Sequence, residues 1–201
     1  LIAMGLTVIM TAVAVCGCGS SDSGNDAKKS DNQTKQQAVK VIDVDLTSEE
    51  YAFGVDKNKP ELLTQVNDFI KEIKDNGTFD EICNKYFGGG NPTPVKSEKL
   101  DTSKDQLLVA TNASFEPFEY MKGDSYYGID MEIAAALAKK LNKELVIQNM
   151  EFDSVCLSVG QHKSDIAMTG LTIKEDRKKY VNFTDPYYNA AQRLIVKGDR
   201  V

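Results

Sequence analysis

The chain has 201 residues, 41% hydrophobic and 27% charged, which is enough apolar material for one globular domain of ordinary size or a little more. Acidic residues number 30 against 24 basic ones, for a net charge of −6. No run of Lys and Arg lines up as a groove would need, so nucleic acid is excluded as a partner.

Leu1 to Val15 is uncharged and apolar, too short to span a bilayer comfortably, and closes on Cys16-Gly-Cys18-Gly-Ser-Ser. An apolar run ending on small residues is the pattern of a secretory signal, and this one resembles a bacterial lipoprotein signal. The resemblance implies Val15 and Gly17 just before the cleavage point and Cys18 as the lipidated residue. With no initiator Met and no basic stretch in front, the chain is expected to begin inside the signal (1–18). A Cys-x-Cys metal site would need further Cys or His nearby, and none stands there, so no metal or other cofactor is expected. Gly19 to Val39 is Ser, Asp, Asn, Gln and Lys with almost nothing to bury, and reads as a disordered tether.

Folded sequence begins at Lys40 and divides into a first segment (40–90), a linker (91–104) and a second segment (105–201). Lys40 to Asp45 alternates like a strand, and Tyr51 to Val55 is a second apolar run. Pro60 opens a helix in which Leu62, Leu63, Val66, Phe69, Ile70 and Ile73 recur at helical spacing, and Asn76-Gly77 stops it. Thr78 reads as the N-cap of a second helix with Phe79, Ile82, Cys83, Tyr86 and Phe87 on one stripe. Cys83 and Cys156 both fall on apolar helix faces and are expected as two buried thiols.

Gly88 to Pro94 breaks the pattern, and no Gly-Lys-Ser/Thr follows to make it a phosphate loop. Gln106 to Thr111 is a strand, followed by a loop from Asn112 to Pro117. Lys122-Gly123-Asp124 turns a hairpin. A helix follows over 130–141, then a strand over 144–150, a short helix over 154–161 and a strand over 165–168. Strands alternating with helices predict an α/β fold, a mostly parallel sheet with helices on both faces. Ligands of such sheets sit beyond the carboxyl ends of the strands, which points to the loops at Asn112, Phe152 and Thr169.

The third of these loops carries the strongest candidate chemistry. In Thr169-Gly170-Leu171-Thr172, Gly170 lets a ligand approach the backbone, and Thr169 and Thr172 bring hydroxyls. A short helix from Ile173 or Lys174 would aim its free N–H groups at the turn. Arg177, about one turn in, can take a carboxylate in a two-point fork. The single His162 lies in a polar Gln-His-Lys turn and reads as a solvated loop residue. A last strand is expected over 190–196.

The phrases VATNASFEPFEY, YYGIDMEIAAALAKKL, MEFDS, DIAMTGLTIKEDRKKYVNFTDPYY and AQRLIV, in that order, closely resemble the first half of the amino-acid-binding proteins of bacterial ABC importers. The resemblance covers about half the chain. It implies the first lobe of a type II periplasmic-binding-protein-like fold, with Arg177 on the ligand's α-carboxylate and Thr172 and the Gly170 N–H donating to the same group. Phe115 and Phe152 would wall the apolar part. Asn112 stands where the family commonly has Asp, which disfavours a strongly basic ligand over a neutral polar one. Residues 49–88 resemble the extreme C-terminal end of the same family, so the lobe reads as circularly permuted. The chain is expected to stop at a hinge strand before a second lobe that would hold the α-ammonium.

The implied partners are a free amino acid, an ABC permease and, through the lipid, the outer face of the cell membrane. An enzyme on the same scaffold would need an acid or base in the cleft. A sensor ectodomain would need a signalling segment downstream.

Overall fold

The computed structural model describes residues 39–198, so the expected signal, the lipidated Cys18 and nearly all of the tether lie outside the described residues. The chain enters through β1 (Val39–Asp45), β2 (Glu49–Tyr51) and β3 (Gly54–Asp56), then forms α1 (Pro60–Asp75) and α2 (Thr78–Phe87). After the linker come β4 (Gln106–Thr111), β5 (Ser114–Phe115), β6 (Glu119–Lys122), β7 (Ser125–Tyr127) and α3 (Ile129–Lys140). β8 (Glu144–Asn149), α4 (Phe152–Gly160) and β9 (Ile166–Ala167) follow, then a 3₁₀ turn over Arg177–Lys179, β10 (Val181–Phe183), β11 (Tyr188–Ala190) and β12 (Arg193–Lys197).

The main sheet has the order β10-β3-β9-β4-β8. β8, β4 and β9 are mutually parallel, and β3 runs antiparallel between β9 and β10, so four of the five strands point the same way. The strand from the first segment is thus inserted into a sheet otherwise built by the second. Alternation along each strand assigns the faces. Leu107, Val109 and Ile166 pack with the apolar stripes of α1, α2 and α3, whereas Ala110 and Ala167 pack with Val155 and Val159 of α4. Helices therefore cover both faces, as the alternation of elements predicted.

In α1 the predicted stripe is the buried one: Leu62, Val66, Phe69, Ile70 and Ile73 are buried and Leu63 is partly so. Each such side chain is worth roughly 1.5–3 kcal/mol relative to exposure. Thr78 is the first helical residue of α2 and not its cap; Gly77, at φ +84°, makes the turn, and the Asn76 side chain takes the Thr78 N–H at 3.0 Å. Cys83 is half-buried and Cys156 buried, both as free thiols. Gly128 precedes α3 at φ +127°, with its backbone so close to the hairpin that a Cβ would lie 2.0 Å from the Phe118 carbonyl oxygen. Only glycine fits there.

Two expected strands are broken in two. The run from Tyr51 to Val55 pairs first with β11 and then with β10, and between them the Phe53 N–H donates to Thr184 Oγ1 at 3.0 Å. The final strand likewise splits into β11, paired with β2, and β12, paired with β1. A change of partner interrupts the ladder in both cases.

The 91–104 stretch also lies closer to the body than a spacer would. Val95 is buried and bridges Tyr126, Ser97 accepts the Ile147 N–H, and the Glu98 N–H donates to the Leu145 carbonyl. His162 is held rather than simply solvated: its Nδ1 is 2.9 Å from both oxygens of the buried Asp56, and Asn58 contacts its Nε2 at 3.1 Å.

Candidate functional site

A cavity of about 320 Å³ opens beyond the carboxyl ends of β4, β8 and β9. It is lined by Asn112, Phe115, Phe152, Thr169, Gly170, Thr172 and Arg177, which are all seven residues singled out from sequence. Glu49, Tyr51, Ser114 and Glu119 complete it. A larger depression of about 810 Å³ lies at the opposite ends of β4 and β8. Its walls hold charges that already neutralise one another, Lys104 with Glu144 and Lys143 with Asp105. The smaller cavity is where strand geometry directs a ligand.

Arg177 reaches into this cavity. Its Nη1 donates to the Thr172 carbonyl at 2.8 Å, and its guanidinium lies over the Phe152 ring at 5.0 Å from the centroid. The ring face and the carbonyl fix the side chain. Among the described residues no carboxylate lies within 4 Å of the guanidinium; Asp176 instead takes the Arg177 backbone N–H at 3.0 Å.

The expected helix from Ile173 or Lys174 does not form. Only the three-residue 3₁₀ turn at Arg177–Lys179 does, because Thr172 bridges Tyr51 and the Ile173 N–H is taken by the Glu50 carbonyl at 3.1 Å. That pairing holds the chain extended past the point where a helix would have to begin. The segment after Thr172 therefore brings no helix N-terminus to the cavity, and its anion chemistry rests on the guanidinium.

The amide of Gly170 is also already used. It donates to Asp130 Oδ2 at 2.8 Å, so it is not free for a ligand carboxylate. What Gly170 supplies is room: at φ +51° it carries no Cβ, and one would press on the Phe115 ring at 3.1 Å. Thr169 is buried, accepts the Asn112 N–H at 3.1 Å and donates to Glu119 Oε1 at 2.8 Å. The Thr172 hydroxyl donates to Glu49 Oε2 at 3.3 Å. Asn112 gives Nδ2 to the Met150 carbonyl at 2.8 Å and accepts the Ser114 hydroxyl. Phe115 and Phe152 remain partly exposed, as walls would.

Beneath the Thr169-Gly170 turn lie two buried acids that the sequence reading passed over. Asp130 takes the Tyr187 hydroxyl at 2.6 Å as well as the Gly170 N–H, while Glu119 Oε2 has no partner among the described residues. Burial raises Asp130 to about 7 against the pull of those two hydrogen bonds. Burial, and then the negative charge of Asp130, raise Glu119 well above the ordinary carboxylate range. Glu119, with fewer donors, is the harder of the two to ionise. The only sequence signal was an acid set inside an apolar run, Phe118-Glu119-Tyr120 and Ile129-Asp130-Met131. Tyr51, pushed up to about 12 by burial and the nearby Glu49, stays a neutral phenol in the wall.

The sequence model of the bacterial extracellular solute-binding proteins, family 3, matches residues 11–89 and 107–201. The chain belongs to that family. Among the relatives of this chain, the arginine-binding extracellular protein ArtP of Bacillus subtilis is 38% identical over 99 residues, covering 49% of this chain and 39% of the relative. A probable histidine-binding protein of Neisseria gonorrhoeae is 38% identical over 96 residues, covering 46% and 35%. The chain thus spans roughly two fifths of the length of the curated relatives it matches. Domain 1 of TmArgBP in its arginine-bound form aligns with 51% of this chain and 89% of its own at 32% identity, with a TM-score of 0.41.

Proposed function

We propose that this chain carries the ligand-gripping lobe of an extracytoplasmic amino-acid receptor, anchored through a lipid on Cys18, that delivers its cargo to an ABC permease. The observation that carries the reading is an arginine with no carboxylate partner among the described residues, braced by Phe152 and the Thr172 carbonyl, in a cavity at the carboxyl ends of the sheet. Arg177 takes the α-carboxylate in a bidentate fork. Phe115 and Phe152 flank the aliphatic part of the side chain. In the complete receptor a second lobe closes over the ligand by hinge bending.

The cargo is a polar amino acid. The neutral Asn112 favours a glutamine-like side chain, while the arginine- and histidine-binding relatives put cationic ligands in the test set. A lobe joined in permuted order accounts for β3, from the first segment, lying between β9 and β10 of the second. It also accounts for two family matches separated by the linker.

Calorimetry with L-glutamine, L-histidine and L-arginine tests the assignment. Arg177→Ala is expected to weaken whichever of them binds by about tenfold or more, the value of a charge-assisted fork. Unchanged affinity would overturn it.

A further inference from the structure

Nothing in the grip on a carboxylate calls for the two acids beneath the Thr169-Gly170 turn. Glu119, on β6, is 1% exposed and Asp130, in the first turn of α3, is fully buried. Each holds one residue of the turn, Glu119 through the Thr169 hydroxyl and Asp130 through the Gly170 N–H. Glu119 also lines the cavity, and its Oε2 has no partner among the described residues.

The groups that face the pair add no positive charge. Tyr187 donates its hydroxyl to Asp130, and the Tyr51 and Tyr187 phenols and the Cys83 thiol of α2 are pushed up, first by burial and then by neighbouring acids, and so stay neutral. Lys85 of α2 pairs with Glu132 instead, and among the described residues no Lys, Arg or His nitrogen comes within 4 Å of either carboxylate. On the rim, Arg177 and Glu49 bring one charge of each sign. Two buried carboxylates left without a cation cannot both ionise at low cost, so the pair keeps a proton to higher pH than an ordinary carboxyl does. Burial raises Asp130 to about 7, and burial with the Asp130 charge raises Glu119 well above the ordinary range.

We infer that the proton held by Glu119 and Asp130 sets the side-chain charge this cavity accepts: the protonated pair suits a neutral amino acid, and the pair that has lost its proton favours a cationic one. The inference rests on the reading of the cavity as an amino-acid site and adds a control to it. Asn112 carries no charge to make this choice, and its Nδ2 and Oδ1 are already used by the Met150 carbonyl and the Ser114 hydroxyl. One more negative charge under a small cavity attracts a ligand of net positive charge and is close to indifferent toward a neutral one. Linkage makes the effect reciprocal: a cationic ligand drives the proton off, and a neutral ligand leaves it in place.

The probes are L-glutamine and L-arginine, which share the α-ammonium and α-carboxylate and differ in side-chain charge, so titration of the shared groups cancels in the ratio of their affinities. In calorimetry on the full chain, the ratio of arginine to glutamine affinity is expected to rise about tenfold between about pH 5.5 and about pH 8.5, the equivalent of one pKa unit of coupling. Titrations near neutral pH in phosphate and in imidazole buffer, whose ionisation heats differ, count protons, and arginine is expected to release about half a proton more than glutamine. Glu119→Gln combined with Asp130→Asn, which keeps an acceptor toward the Thr169 and Tyr187 hydroxyls, is expected to flatten the ratio and equalise the counts. Circular dichroism before titration establishes that the variant is folded.

A wild-type ratio that stays flat with pH, or a slope that persists in the folded double variant, overturns the inference. Should the variant not fold, equal proton counts for the two ligands in wild type overturn it just as well. Failure of arginine to bind anywhere in this pH range also overturns it, and where glutamine does not bind, an arginine affinity that does not rise with pH does the same. A flat ratio together with an Arg177→Ala effect removes this inference alone, whereas binding of neither ligand removes the amino-acid reading beneath it.

Discussion

The floor and the rim of the cavity are built on opposite principles. On the floor, Thr169, Gly170, Asn112, Asp130 and Tyr187 spend their polar groups on one another and on Met150, Ser114 and Glu119, and what the cavity presents there is shape. On the rim, Arg177 and Glu49 have no ionic partner among the described residues, and Phe115 and Phe152 keep part of their rings in water. Internal satisfaction makes the floor stiff, while the rim retains unspent interactions for a partner. Substitutions below should therefore act on stability, and those above on affinity.

The strongest challenge to that division is Gly128→Ala. The added methyl would meet the Phe118 carbonyl at 2.0 Å on a backbone held at φ +127°. Strain of about 1–3 kcal/mol and overpacking of similar size predict a loss near 4 kcal/mol, read as a drop in urea midpoint. If the variant keeps wild-type stability, the hairpin and α3 are not locked together there.

A smaller effect is expected from pH. Burial keeps Asp130 protonated far above the ordinary carboxylate range, to about 7 from 3.8. A carboxyl that binds its proton more tightly when folded contributes most at low pH and loses that contribution as pH rises through this window. Thermal melts between these limits should show stability falling with pH on this account, by at most a few kcal/mol. Glu119→Gln and Asp130→Asn should each flatten the slope relative to wild type. An unchanged slope in both would show that neither acid drives the pH dependence.

At the rim, Phe152→Ala should cost the fold little, because the ring is already 39% exposed. It removes the surface on which the Arg177 guanidinium rests, and affinity for the cognate amino acid should drop roughly two- to fivefold by calorimetry. A loss of stability without a loss of affinity would move Phe152 from the rim to the floor.

How much of this was legible in the sequence follows the same division. The stripe of α1, the parallel strands and the loops at their ends announce themselves through periodicity, because burial imposes it locally. All seven residues proposed for the site line one cavity. The short helix after Thr172 failed because a tertiary partner, the strand carrying Tyr51 some 120 positions earlier, claimed the extended backbone. Glu49 was equally hidden: nothing in Thr-Ser-Glu-Glu-Tyr marks an acid that only sheet pairing brings beside Thr172. Beyond its apolar neighbours, nothing in the sequence singles out Asp130, since its burial depends on Tyr187 and Gly170 arriving from elsewhere.

The cavity wall also decides how occupancy can be observed. The chain contains eight tyrosines and no tryptophan. One of the eight, Tyr51, lines the cavity and stacks on Tyr188 at 6.1 Å between ring centroids. Ultraviolet emission from the native chain is therefore phenolic throughout, and filling the space beside Tyr51 should change its intensity. Titrations can be followed optically with no dye attached and no reporter residue introduced.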